Sequence, residues 1–383
     1  MARAIAVRGL LRERRTRRHH HPGNTRGGWW GARGDRGLST TDPRNVFLRA
    51  CRRQPVEHRP VWFMRQAGRY MAEYRAIRER AGFLEMCKTP DLAVEITLQP
   101  VKALGVDAAI LFSDILIPIE GMGIAIEFKP GPLLPDPVRT RAQVQALRVP
   151  DPHESVPFVL EAVQRLRHEL PPEVALIGFC GAPWTLATYA VEGGGAKEFT
   201  RMKRLLYEDA GSGELLLRKL AQTNAAYLQA QIAAGAQAVQ IFDSWAGMLA
   251  PDDYARWALP YVQQMIEEVR READAPIIYF ARDAWGAADS LRECGADVIS
   301  VDWRVPLDVA RATLGTDVGV QGNLDPATLF APWSVLQERV DSVLARAGDA
   351  PGHVFNLGHG ILPQTPVDNV RRVVDHVHER TRV

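Results

Sequence analysis

Eight short apolar, β-branched runs recur along this chain, each ending in polar or glycine residues and each followed by a longer amphipathic stretch. They are Pro60–Met64, Ala108–Phe112, Val174–Phe179, Ala238–Phe242, Pro276–Phe280, Asp297–Val301, Val318–Gln321 and His353–Leu357. Runs that are apolar throughout, rather than alternating, are the pattern of strands buried on both faces. The stretches between them read as helices. Asp91–Leu104 carries Leu92, Ile96, Leu98, Val101 and Leu104, and Asp252–Val269 carries Tyr254, Trp257, Tyr261, Met265 and Val269 near helical spacing. Asp289–Cys294 and Pro306–Leu314 supply shorter crossovers. Strand–helix alternation implies parallel strands joined by right-handed connections. Eight such units predict an α/β fold, a single-domain (β/α)8 TIM barrel. An open doubly wound sheet would carry a glycine-rich phosphate turn after its first strand. Gly193-Gly194-Gly195 stands in another context, and no GxGxxG opens a helix.

Residues 119–140 break the alternation. Ile124-Ala125-Ile126-Glu127-Phe128 alternates, and Pro130, Pro132, Pro135 and Pro137 follow, which predicts an inserted hairpin or lid loop after the second strand. The first forty residues stand apart as well. They hold ten arginines against Glu13 and Asp35, a charge of +8, so the total of +2 leaves 2 − 8 = −6 for the rest. Rich in Arg and Gly and without an apolar period, residues 1–40 predict a disordered basic extension ahead of a barrel domain at 41–383. An Arg-rich start also suits an organelle transit peptide, although Ser39 is its only serine. His19-His20-His21 reads as part of a solvated tail rather than a metal site.

The mildly acidic body argues against nucleic acid as a partner, and no run reaches the roughly 20 apolar residues of a membrane span. Cys51, Cys87, Cys180 and Cys294 form no CxxC pair, so reduced thiols and a cytoplasmic setting are expected. There is no GxSxG elbow, and no His/Cys/Asp cluster has metal-ligand spacing.

In a barrel, polar residues at the carboxyl ends of the strands converge on one mouth. The first run delivers Arg65, with Arg69 one turn on, and the second Ser113-Asp114. The third leads through Trp184 to Tyr189, the fourth ends in Asp243-Ser244-Trp245 and the fifth in Arg282-Asp283. Asp302-Trp303, Gln321-Gly322-Asn323 and Asn356-Leu357-Gly358-His359-Gly360 close the set. Each has a plainer reading: Asp114 or Ser244 as a helix cap, Tyr189 as core, His359 as a satisfied turn residue, Arg65 and Arg69 as a solvated turn. Jointly they describe a site for an anionic, hydrogen-bonding ligand, because paired guanidiniums match carboxylate or phosphate.

The segments RPVWFMRQAGRY (59–70), LFSDIL (111–116), GFCGAPWTLATYAVEGGG (178–195), QGNLDP (321–326) and NLGHG (356–360) resemble the uroporphyrinogen decarboxylase family, over about residues 42–380. The resemblance implies a barrel enzyme, usually a homodimer, that needs neither metal nor organic cofactor. It converts uroporphyrinogen III to coproporphyrinogen III by removing the carboxyl groups of four acetate side chains. It implies substrate contacts from Arg65, Gln66, Ala67, Gly68, Arg69, Asp114, Tyr189, Ser244 and His359, with Asp114, Arg65 and His359 in the chemistry. Phe63, Met64 and Phe112 would then face the ring system. Arg282 stands where many relatives carry lysine, with Trp285 nearby. Two other readings are a corrinoid-linked methyltransferase of the same barrel superfamily and a tetrapyrrole-binding protein without catalysis. The former generally needs a thiol-and-histidine zinc site, and no HxC pair stands at a strand end.

Overall fold

The computed structural model describes residues 45–383. The basic extension at 1–40 and the boundary beside it lie outside the described residues. Nine strands are assigned among them: β1 (Ala108–Ile110), β2 (Glu127–Phe128), β3 (Pro132–Leu133), β4 (Ala175–Gly181), β5 (Ala238–Asp243), β6 (Ile277–Ala281), β7 (Val298–Ser300), β8 (Gly319–Gln321) and β9 (His353–Val354). Seven form one parallel sheet in the order β1-β4-β5-β6-β7-β8-β9. With helices in the connections, this is the expected α/β barrel.

The eighth predicted strand, at 60–64, is in its place but pairs through a single bridge, Val61 with Phe355. On its other side Asp107 N–H donates to the Val61 carbonyl at 2.9 Å, so the segment closes the sheet between β9 and β1. Its donors explain why it is no regular strand. Pro60 has none. Val61 N–H goes to Asp107 Oδ2 at 2.6 Å, Phe63 N–H to Gln66 Oε1 at 3.0 Å and Met64 N–H to Asn356 Oδ1 at 3.0 Å. Side chains take the hydrogen bonds a ladder would use.

The amino end of the barrel is plugged by the helix Val46–Cys51, capped by Asn45 Oδ1 on Leu48 N–H at 3.0 Å. Phe47, Leu48, Ala50 and Cys51 pack against the inward residues Trp62, Ala108, Ile177, Ala238, Ile278 and Val298. Their strand neighbours, such as Leu176, Val239 and Ile299, join the outer core instead, the period of 2 expected of a sheet with both faces buried. Above the plug lies a polar layer. Trp62 Nε1 donates to Gln321 Oε1 at 2.9 Å, and Gln321 Nε2 donates to Gln240 at 3.1 Å and to Ser300 at 3.0 Å.

The insertion is a hairpin, β2 against β3. It is anchored: Leu134 N–H donates to Gly193 O at 2.9 Å, Val138 N–H to Ala190 O at 2.8 Å, and Phe128 packs on Phe83 at 4.7 Å. The helix expected at 252–269 is two, Pro251–Trp257 and Leu259–Glu272, divided at Ala258. Pro260 favours a first helical turn and resists a helix interior.

Candidate functional site

Arg65 leaves the first strand in the left-handed region, φ 62°. For a residue with a side chain that costs about 1–2 kcal/mol, and surrounding contacts hold it. Ile361 N–H donates to Met64 O at 2.9 Å, which draws Gly360 under Arg65. A Cβ at Gly360 would sit 2.5 Å from Arg65 Cδ, so only glycine leaves the side chain its path. Gln66 braces the turn from below: it is wholly buried, accepts from Phe63 N–H and donates to Ala108 O at 3.0 Å. Its side chain is therefore spent on the fold, and its contribution to a ligand is placement of Arg65. Ala67 and Gly68 are half-buried beside it, and a Cβ at Gly68 would meet the Arg65 carbonyl at 3.2 Å. The Arg65 and Arg69 side chains are exposed, without an ion pair among the described residues.

Asp114 follows β1 and is half-buried. Its Oδ1 accepts from Leu116 N–H at 2.9 Å, just before the helix Ile117–Glu120, so the capping reading holds for that oxygen. Oδ2 has no hydrogen-bond partner among the described residues. Burial raises the carboxyl's pKa, against the Leu116 N–H and the Arg65 charge. The Arg65 charge bears on Tyr189 and His359 as well.

His359 is half-buried, edge-on to Phe280 at 6.1 Å and Trp303 at 6.3 Å. Burial, then the charges of Arg65, Arg282 and Arg304, push its pKa down to about 4, so the ring is neutral at pH 7. Gly360 N–H donates to its Nδ1 at 2.6 Å, from which we assign the remaining proton to Nε2. The turn reading thus holds for one nitrogen, leaving the other a free donor.

Tyr189 lies on the helix Pro183–Glu192, and Ser244 follows β5. Burial raises the phenol's pKa, and the Trp245 indole acts against it. Ser244 is half-buried and caps no helix. Behind them lies a network invisible in sequence. Buried Asp243 accepts from Thr185 Oγ1 at 2.5 Å and from Tyr279 at 2.9 Å, Tyr279 meets Tyr254 at 2.7 Å, and Trp245 N–H donates to Thr185 at 3.1 Å. This ties the Ser244 loop to the helix that carries Tyr189. Without a cation beside it, burial pushes Asp243 up to about 6.

Arg282 and Arg304 complete the basic rim, and Arg304 is one that sequence reasoning missed. Its guanidinium lies 3.8 Å over Trp303 and pairs with Asp302 at 2.7 Å and Asp283 at 2.5 Å. Only the run Asp302-Trp303-Arg304 signalled it. A cavity of about 130 Å³ opens beside it, among Trp285, Ser300, Asp302 and Arg304, to one side of Arg65 and Asp114.

One expectation about the ring-facing residues needs correcting. Phe63 is fully buried in the outer core, and Phe112 packs on Tyr74 and Phe83 at 5.8 and 5.9 Å, so Phe63 does not face a ligand. Cys180, the nearest thiol to a strand end, is buried on Met265, with its pKa raised by burial. His58, Asp107 and His378, far apart in sequence, meet at the amino end of the barrel as a possible metal-ligand set. No helix among the described residues is long and apolar enough to cross a membrane.

The uroporphyrinogen decarboxylase (URO-D) family model matches residues 42–380. A uroporphyrinogen decarboxylase from Carboxydothermus hydrogenoformans is 54% identical over 337 residues, covering 88% of this chain and 96% of the relative. One from Chloroflexus aurantiacus is 54% identical over 339 residues, covering 87% and 95%. Among solved structures, a methyltransferase from Methanosarcina mazei superposes with a TM-score of 0.74 at 21% identity, over 88% of this chain and 98% of that one. The last likeness concerns the fold alone. With its barrel, its match from residue 42 to 380 and relatives at 54% identity, this chain belongs to the uroporphyrinogen decarboxylase family.

Proposed function

We propose that this chain decarboxylates the four acetate side chains of uroporphyrinogen III to methyl groups, yielding coproporphyrinogen III, through the mouth built around Arg65 and Asp114. Losing carbon dioxide from an acetate needs a place for the electron pair, and a protonated pyrrole supplies it. A proton adds to the ring α-carbon next to the one bearing the acetate, which leaves the acetate carbon conjugated to the cationic ring. The bond to the carboxylate breaks and carbon dioxide leaves. The electron pair moves into the cationic ring, a proton joins the new methyl carbon, and the ring proton departs. The reading therefore calls on no metal or organic cofactor.

Asp114 Oδ2 is the observation that carries this reading: an unpartnered carboxylate oxygen, half-buried, opposite a guanidinium that does not pair with it. Pyrrole N–H groups are its natural donors, and its charge stabilises the cationic ring as that charge develops. Arg65 and Arg69 clamp the carboxylates, and the strained Arg65 backbone fixes the approach. His359 offers its Nε2 proton to a carboxylate, while Tyr189 and Ser244 hydrogen-bond the reacting acetate or a neighbour. A carboxylate brought to His359 would raise its pKa toward that of a proton donor.

Incubation with uroporphyrinogen under reducing conditions tests the proposal. The expected result is a series of products from seven to four carboxyl groups. Binding without products would favour a tetrapyrrole-binding module, and metal-dependent methyl transfer a corrinoid-linked enzyme. Against the second stands the burial of both Cys87 and Cys180. A homodimer, checked by light scattering, and a cytoplasmic location belong to the same reading. The reported relatives are bacterial, so a transit-peptide role for residues 1–40 gains no support from them.

A further inference from the structure

We propose that His58, Asp107 and His378 bind one divalent cation of the zinc class at the amino end of the barrel, remote from the mouth. His58 Nε2 lies 3.1 Å from Asp107 Oδ1, and His378 Nε2 lies 2.7 Å from Asp107 Oδ2. One ligand atom from each residue falls within 4.8 Å of the others. In a tetrahedral site with zinc bonds of about 2.0–2.1 Å, ligand atoms stand about 3.3 Å apart. The two nitrogen–oxygen distances, 3.1 and 2.7 Å, lie near that spacing. Two imidazoles and one carboxylate form a borderline set that favours zinc, cobalt or nickel over magnesium or calcium.

Charge points the same way. Asp107 is flanked by both imidazoles and by Val61 N–H at 2.6 Å. No lysine or arginine pairs with it among the described residues. The buried anion has no permanent cation, and a divalent ion would supply one. The way in is open: the side chains of His58 and His378 are 25% and 22% exposed, and that of Asp107 11%. Coordination uses the Nε2 lone pairs, so binding calls for the tautomer with the proton on Nδ1 in both rings.

The placement gives the ion a purpose. Asp107 is the joint between the first strand and β1, His58 precedes that strand, and His378 sits on the final helix, Val367–Thr381. A bound cation would clip the two ends of the barrel domain together across its least regular seam. Sequence could not show this, because the ligands lie 49 and 271 positions apart.

The test is titration of the chelator-treated full chain with zinc chloride, by calorimetry and by melting temperature. One saturable equivalent is expected, with a melting temperature raised by about 4 °C at a hundredfold excess over the dissociation constant. His378→Ala, and independently the more exposed His58→Ala, should abolish saturable binding and the thermal shift while leaving turnover unchanged. Replacing His19, His20 and His21 together by alanine should leave both. Absence of saturable binding in the parent chain, its survival in both histidine variants, or its loss only with the tail histidines would overturn the proposal.

Discussion

The two ends of this barrel treat polar side chains in opposite ways. At the amino end the polar groups along the seam are paired with one another. Asp107 takes His58, His378 and Val61 N–H. Arg59 donates to Leu344 O at 3.0 Å and to Gly348 O, and stands 3.2 Å from His353 Nδ1. His353, driven down to about 3 by burial and the Arg59 charge, sits 2.9 Å from Gly322 O. At the carboxyl end the same residue types are left half-satisfied: one oxygen of Asp114, one nitrogen of His359, the hydroxyl of Ser244, the guanidinium of Arg65. These groups are exposed or half-buried, open to an incoming ligand. The difference supports the reading that the open groups at the carboxyl end serve the organic ligand.

The largest effect should come from Asp114→Asn. Removing the anion opposite the developing ring cation should cut turnover of uroporphyrinogen by about 10²–10³, read from the rate of appearance of seven-carboxyl product. Arg65→Lys keeps the charge but loses the fork, and should lower kcat/KM by roughly 10- to 100-fold. Gly360→Ala pushes a methyl into the path of Arg65 without touching the ligand, and should cost about tenfold in kcat/KM with little change in melting temperature. Unchanged kinetics there would separate the Arg65 path from function.

The smallest effect concerns the network behind Ser244. Asp243 rises to about 6 when folded, against about 3.9 in an unfolded chain. Between those values the folded state holds the extra proton, so this residue makes stability fall as pH rises from about 4 to about 6, and flat above. Asp243→Asn should remove that component from a plot of denaturation midpoint against pH. An unaltered slope would show that Asp243 ionises as it does in the unfolded chain.

Much of this comparison was legible in sequence, because it rests on periodicity. The apolar runs located the strands, and Asp114, Ser244 and His359 lie in the polar segments that follow them. What stayed hidden depends on side chains meeting across long separations. Gln66 reads as part of a basic turn, and only its bonds to Phe63 and Ala108 show it as a brace. The irregularity of 60–64 follows from three side-chain acceptors, two of them on other strand connections. Arg304 acquires meaning from Asp283, on a neighbouring loop. The plug Val46–Cys51 is too short for its period to stand out, and its burial is set by Trp62 and the strand residues above it.

The most direct measurement sets turnover against melting temperature for two variants of the same chemical change, one at each end of the barrel. Asp114→Asn should lose about 10²–10³ in turnover and keep its melting temperature, since it removes a carboxylate that burial disfavours. Asp107→Asn should lower stability by about 2–3 kcal/mol and keep turnover per folded molecule. If Asp114→Asn instead melted early while turning over at the parent rate, the mouth would be structure and the assignment of its open groups to chemistry would fail.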